Sequence, residues 1–227
     1  MFSEISYNTN LFVNRIQIIF GVILFAGLNK LSRKYIPDSF IKKDRIFQYH
    51  TYTYSIIHSV LISVPCLLYL FDYISKTTTS FFIDLSMGYA IYDLTVVINT
   101  YEIFDWKGIF IHHFAMLLLL SGRESYFDEV AVGLLSEIAT IFLNISWIMY
   151  QSNKTNTIFF NLNSIIVLIL YFFTRVLSFP YLTYIVIINY NLNIVFHIMS
   201  CTLSVLNIYW FKLLINKAIS VKNNKKE

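Results

Sequence analysis

Seven apolar stretches, most of them close to 20 residues long, fill the chain at 11–28, 49–71, 82–101, 108–121, 130–150, 157–178 and 192–216. A run of about 20 residues spans the hydrocarbon core of a bilayer as an α-helix. Backbone exposed to lipid must satisfy its own hydrogen bonds, so such runs leave only a helical bundle; a barrel needs shorter, alternating strands. Composition points the same way. Only 13% of the 227 residues are charged and 57% are hydrophobic, whereas a soluble domain carries about a quarter charged residues. The fourth run is short for a bilayer and is expected to tilt or to extend into its flanks. Residues 179–191, which include Pro180, are expected to form a re-entrant or interfacial piece, or to join a longer last helix. Cys66 and Cys201 both lie inside apolar runs, which argues against a disulfide framework and against a zinc site of the C-x-x-C type. The start, "MFSEISYNTN", has neither a basic n-region nor a small-residue cleavage site, so 11–28 reads as an uncleaved first helix.

The basic residues orient the bundle. Lys30, Arg33, Lys34, Lys42, Lys43 and Arg45 sit between the first two spans, and Lys217, Lys222, Lys225 and Lys226 follow the last. With seven spans these two segments share a side. The bias of Lys and Arg toward cytoplasmic loops then predicts a luminal or extracellular N-terminus and a cytoplasmic C-terminus. The tail "KNNKKE" misses the dilysine retrieval spacing, with Lys225 at −3 but Asn224 and Asn223 before it.

Several spans carry polar residues at helical spacing. The fifth has Glu137, Thr140, Asn144 and Gln151, and the third has Ser86, Tyr89, Asp93 and Thr100. The second offers Thr51, Ser55 and His58, the seventh His197, Ser200, Ser204 and Asn207, and the sixth ends with Thr174, Arg175 and Ser178. Lipid cannot satisfy such groups, so these faces should turn inward. The hydroxyls and amides are readily explained as hydrogen bonds between helices. Asp93, Glu137 and Arg175 are harder to explain that way, since a charge near mid-bilayer costs at least ~2.5 kcal/mol on insertion scales. They are either a structural ion-pair network or part of a binding site.

"IFIHHFAMLLLLSG" (109–122) sets His112 and His113 at the head of an apolar run. Neighbours on a helix point about 100° apart, so the two cannot share one target symmetrically. His112 lies on the smaller, more polar face with Asp105, Gly108 and Ala115, which favours it as the inward residue. From ~1.5 Å rise per residue, the pair sits ~6–8 Å inside the cytoplasmic end of its span, within reach of both a water-soluble donor and a membrane lipid. A buried neutral imidazole there serves as nucleophile or general base, or else as a structural partner for Asp93. A di-iron desaturase needs several clustered histidine motifs, and five histidines with one pair are too few. Haem, nucleotide-binding and metal-site patterns are missing as well, and no resident cofactor is expected.

Five segments resemble one family. "YSIIHSVLI" (54–62), "GYAIYDL" (88–94), "DWKGIFIHHFAMLLLL" (105–120), "LLSEIATIFLNISWIMYQ" (134–151) and "YFFTRVLSFPYL" (171–182), in that order, are similar to the TLC-domain family. That family includes ceramide synthases, TRAM-type proteins and small lipid-homeostasis proteins. The resemblance implies an all-α integral membrane fold: a six-helix bundle around a lipid cavity (42–217), preceded by a leading helix and part of a basic loop (1–41) and followed by a basic tail (218–227). His112 and His113 match the family's essential pair, through which an acyl group is thought to pass to a sphingoid amine, and Asp105 matches an acidic residue ahead of it. Thr174, Arg175 and Pro180 match the arginine helix, and His58 the histidine of the small members' opening helix. Where ceramide synthases carry two aspartates and a glutamate, this chain reads Glu137, Thr140 and Asn144, closer to the small members.

The resemblance implies a multi-pass protein of lipid metabolism or membrane lipid homeostasis, mostly of the endoplasmic reticulum. Its partners would be membrane lipids and, for an acyltransferase, acyl-CoA as co-substrate; nucleic acid is not expected. In the enzymatic reading, His112 accepts the acyl group or acts as base, His113 and Asp93 support it, and Glu137 polarises. His58, Asp105, Thr140, Asn144, Arg175 and His197 are the expected substrate contacts. The alternative is a non-catalytic lipid-binding protein that adjusts membrane composition or acts through partner proteins.

Overall fold

The computed structural model describes the backbone of residues 2–35, 45–100, 106–190 and 192–223. All regular structure among them is helical: α1 (Phe2–Tyr35), α2 (Ile46–Leu70), α3 (Lys76–Asn99), α4 (Trp106–Ser121), α5 (Phe127–Leu134), α6 (Glu137–Gln151), α7 (Ile158–Tyr171), α8 (Ser178–Asn189) and α9 (Ile194–Asn223). A π-turn at Phe172–Leu177 joins α7 to α8. Six helical segments among the described residues are long and apolar enough to cross a bilayer: 15–35, 46–70, 76–99, 127–151, 158–189 and 194–221. The seventh apolar segment, α4, has 16 residues and is the short one foreseen from the sequence. The chain is an all-α integral membrane protein.

Side-chain pairs fix how the helices run. Tyr54 of α2 meets Asp93 of α3 while His58 meets Ser86, so α2 and α3 are antiparallel. His113 of α4 faces Asp93, and Arg123 just beyond α4 faces Asp84, so α4 runs against α3. His112 packs on Trp210 of α9 at one end and Gly122 on Phe196 at the other. Ser55 bonds Asn144 of α6, and Ser146 of α6 bonds Asn163 of α7. Contacts among α2, α3, α4, α9, the α7–α8 arm and the α5–α6 arm close a six-membered ring, with α1 outside it against α3 and α2.

The α1–α3 seam depends on small residues. A Cβ added at Gly21 would sit 2.7 Å from the Leu85 carbonyl oxygen, and one at Gly88 would sit 2.7 Å from Gly21 Cα. Only glycine lets the two backbones approach so closely, the usual means of helix association in lipid. At its end α1 is held by polar contacts: Asn29 donates to Tyr92 at 2.6 Å, and Ser32 lies 3.2 Å from His50 Nδ1. Arg33 donates to Asn29 and lies over the Phe47 ring. These contacts carry α1 to Tyr35, so Lys30, Arg33 and Lys34 belong to the helix rather than to the following loop.

Two spans are irregular where the sequence reads as uniform. The fifth is interrupted at Leu135–Ser136, where the backbone tightens to three-residue bonds (Ile138 to Leu135, Ala139 to Ser136). The sixth continues through the π-turn into α8, so 178–189 completes the sixth span instead of forming a re-entrant or interfacial piece or joining the last helix; residue 191 lies outside the described residues. Pro180 lacks an N–H and crowds the carbonyl four residues back. The wider turn just before it accommodates both, and the helix goes on.

Candidate functional site

Inside the ring lies a cavity of about 560 Å³, within the usual size of a ligand pocket, ~300–1,000 Å³. It occupies the half of the bundle nearer the end where α1, α3, α6 and α9 finish, here called the basic end. His58, Asp93, His112, His113, Glu137, Thr140, Asn144 and Arg175 all line it. Between these polar groups the wall is apolar, with Val97, Leu143, Trp147 and Leu213. A smaller apolar space of about 80 Å³ lies toward the opposite end along Met116, Leu120, Val130 and Val186. His112, Met116 and Glu137 border both spaces, so His112 stands in the layer of side chains between the polar chamber and the apolar space.

The helical irregularities deliver the two central charges. Glu137 is the first residue after the break in the fifth span, and Arg175 lies within the π-turn of the sixth. Both are buried, and Arg175 Nη2 reaches Glu137 Oε1 at 2.9 Å. The guanidinium also donates to Thr140 Oγ1 at 2.7 Å, to Asn207 Oδ1 at 3.3 Å and to the Ser136 carbonyl at 3.4 Å. Ser59 donates to the second Glu137 oxygen at 3.2 Å. The Tyr171 ring lies beneath the guanidinium at 5.3 Å. A buried ion pair persists only when its remaining valences are met, as they are here.

A second group surrounds the histidines. Tyr54 donates to Asp93 Oδ1 at 2.8 Å, and Asp93 Oδ2 lies 3.2 Å from His113 Nδ1, close but not aligned for a hydrogen bond. His58 stacks on Tyr89 with ring centroids 3.7 Å apart, and its Nε2 is 2.8 Å from Ser86 Oγ. His112 packs against Trp210 at 5.4 Å, and its buried Nδ1 has no hydrogen-bond partner. The helical offset places His113 toward α3 and leaves His112 facing the chamber. Both are turned inward, and His113 is the more buried of the two, where spacing favoured His112 alone.

A family profile for the TLC domain matches residues 43–216. The chain belongs to the TLC-domain family. It is similar to TLC domain-containing protein 2 of Danio rerio, 31% identical over 116 residues, 48% of this chain and 46% of that protein. The match thus spans about half the length of this curated relative.

Of the expected contacts of this TLC-domain chain, one cannot be placed and one lies away from the cavity. Asp105 lies outside the described residues. His197 is half-buried near the start of α9, lines neither space, and its Nδ1 has no hydrogen-bond partner. It sits nearly three helical turns before Asn207, the α9 residue that reaches Arg175. Ser200 and Ser204, on the same stripe, bond Thr183 at 2.8 Å each and serve the α8–α9 seam. Thr174, Thr100 and Ser178 bond carbonyls of their own helices.

Tyr54, Ser59 and Trp210 were not singled out from the sequence. Tyr54 is four residues before His58, and Trp210 three after Asn207, so both continue stripes already visible in the small polar residues. The buried pair of Arg123 and Asp84, 2.7 Å apart at the opposite end, had no such signal. Its members are 39 positions apart, and Arg123 sits in a connecting segment. No group of three or more metal-binding side chains occurs among the described residues.

Proposed function

We propose that this protein holds a lipid in its central cavity and passes an acyl group through His112, as a lipid acyltransferase of the endoplasmic reticulum drawing on acyl-CoA. One observation carries the reading: an imidazole with a free, buried nitrogen stands between a polar chamber and a smaller apolar space. An acyl chain that enters the chamber and extends past this ring into the apolar space brings its carbonyl carbon to the imidazole. Neutral His112 attacks the thioester carbonyl through its unprotonated nitrogen, the carbon–sulfur bond breaks, and the thiolate of CoA takes the proton from the other ring nitrogen and leaves. An amine or hydroxyl of the acceptor lipid then attacks the acyl-imidazole, the acyl carbon–nitrogen bond breaks, and the acceptor's proton passes to the ring, which is released as neutral His112. Arg175, held by Glu137, supplies a positive charge near the developing oxyanion. His113 and Asp93 orient the neighbouring ring.

The reading of a non-catalytic lipid-binding protein that adjusts membrane composition or acts through partner proteins has its own support. Glu137 is fully engaged by Arg175 and Ser59, and Thr140 and Asn144 replace carboxylates of the catalytic relatives, which leaves Glu137 little freedom to polarise a substrate. Labelled acyl-CoA separates the two. Purified protein should acquire a covalent, hydroxylamine-sensitive label that disappears in His112→Ala. Stoichiometric lipid binding without any adduct establishes the non-catalytic reading.

A further inference from the structure

A second recess lies on the flank of the bundle, between α6, the first half of α7 and the end of α9, with a volume of about 640 Å³. Its floor is apolar, formed by Phe160, Val167, Leu168 and Leu214, and Tyr150 and Lys217 stand at its rim. Leu143, Trp147 and Leu214 line both this recess and the central cavity, so one layer of side chains separates them.

Lys217 is the informative residue. Its ammonium donates to the Tyr150 hydroxyl at 3.1 Å and lies 4.4 Å from that ring's centroid. Among the described residues no carboxylate pairs with it. It lies six residues before the end of α9, about 9 Å along the helix. A lysine near the end of a membrane-crossing helix reaches its ammonium toward the headgroup interface, and Tyr150 beside it is an aromatic of the interfacial type. An aromatic ring fixes the cation over the mouth of an apolar trough instead of letting it extend into water. The surroundings add positive charge: Lys154 lies in the adjoining turn, and Lys222, Lys225 and Lys226 follow in sequence.

We propose that this flank recess binds an anionic glycerophospholipid of the surrounding leaflet, with the phosphate on Lys217 and one acyl chain along the apolar floor. The site is distinct from the central cavity and does not depend on His112. Its charge selects the headgroup; its continuity with the cavity wall makes the bound lipid a neighbour of Trp147.

The test uses the full chain in nanodiscs of phosphatidylcholine doped with photoactivatable phosphatidylserine or photoactivatable phosphatidylcholine, followed by peptide mapping. Label should concentrate on 158–168 and 214–221, and phosphatidylserine should be preferred. Lys217→Gln should lower that preference about fivefold, the factor matching about 1 kcal/mol for one lysine at an anionic surface. Lys212→Gln, outside the recess, should leave it unchanged. Ala218→Trp, which fills the trough from an exposed position, should reduce label from both lipids. His112→Ala should leave the pattern intact, so a failure of acyl transfer does not affect this result. Equal labelling by the two lipids, or a preference that survives Lys217→Gln, overturns the proposal, as does label that Ala218→Trp does not reduce.

Discussion

Arg175 and Glu137 test how tightly single residues are coupled in this interior. Each is buried, and each would face a low-dielectric site without its partner; breaking such a pair costs ~3–5 kcal/mol. Glu137→Ala and Arg175→Ala should each lower the melting temperature in detergent by about 6–20 °C, since ~1 kcal/mol shifts it by about 2–4 °C at this chain length. The double variant should lose clearly less than the sum, and strictly additive losses would show that the two act apart. The histidines give a second comparison. Both alanine variants should insert normally, because each makes α4 more apolar. His112→Ala should abolish acyl transfer. His113→Ala should weaken it by ~10²–10⁴, as for a lost acid–base partner, or by less where it only orients its neighbour. A His112→Ala protein that folds and fully restores the lipid composition of cells would end the catalytic reading. At this scale the sequence was informative where a polar group interrupts an apolar run. It was less so for Tyr54 and Trp210, because an aromatic with one polar atom looks like packing until its partner is known.

At the scale of elements, spans were legible and their irregularities were not. Hydropathy averages over a window, so the break at Leu135–Ser136 and the π-turn at Phe172–Leu177 leave it unchanged. Yet these two features bring Glu137 and Arg175 face to face, and π-turns inside α-helices are frequent at functional sites. Pro180 was visible as a punctuation mark, but its effect depends on the turn before it, which no single residue announces. The α1–α3 seam allows a direct test. A methyl at Gly88 would lie 2.7 Å from Val22 N, so the backbones must separate. Overpacking of that kind costs ~1–3 kcal/mol. Gly88→Ala should therefore melt several degrees lower and loosen α1, seen as faster proteolysis between residues 35 and 46. Gly27→Ala, where an added Cβ meets nothing within 4 Å, should behave as wild type in both assays.

Across the whole molecule, charge distinguishes the two ends of the bundle. At the end opposite the cavity, Lys76 pairs with Glu124 at 3.3 Å and Arg123 with Asp84 at 2.7 Å. Tyr69 and Tyr190 donate there to Asp128 and Glu129. The other end carries Arg33, Lys34, Arg45, Lys154 and Lys217, with more lysines in the tail. By the bias of lysine and arginine toward cytoplasmic loops, we propose that this end faces the cytoplasm, with the cavity half in the adjoining leaflet, where a soluble acyl donor would approach. Two positions in short connections report the orientation without entering the bundle. In sealed microsomes from a variant lacking Cys66 and Cys201, Lys154→Cys should react with a membrane-impermeant maleimide. Tyr73→Cys, 76% exposed in the connection between α2 and α3, should react only after permeabilisation. The sequon at Asn153 (Asn-Lys-Thr) should stay unglycosylated. The reverse labelling pattern, or a glycan on Asn153, would invert the bundle and place the histidine pair on the luminal side, out of reach of cytosolic acyl-CoA.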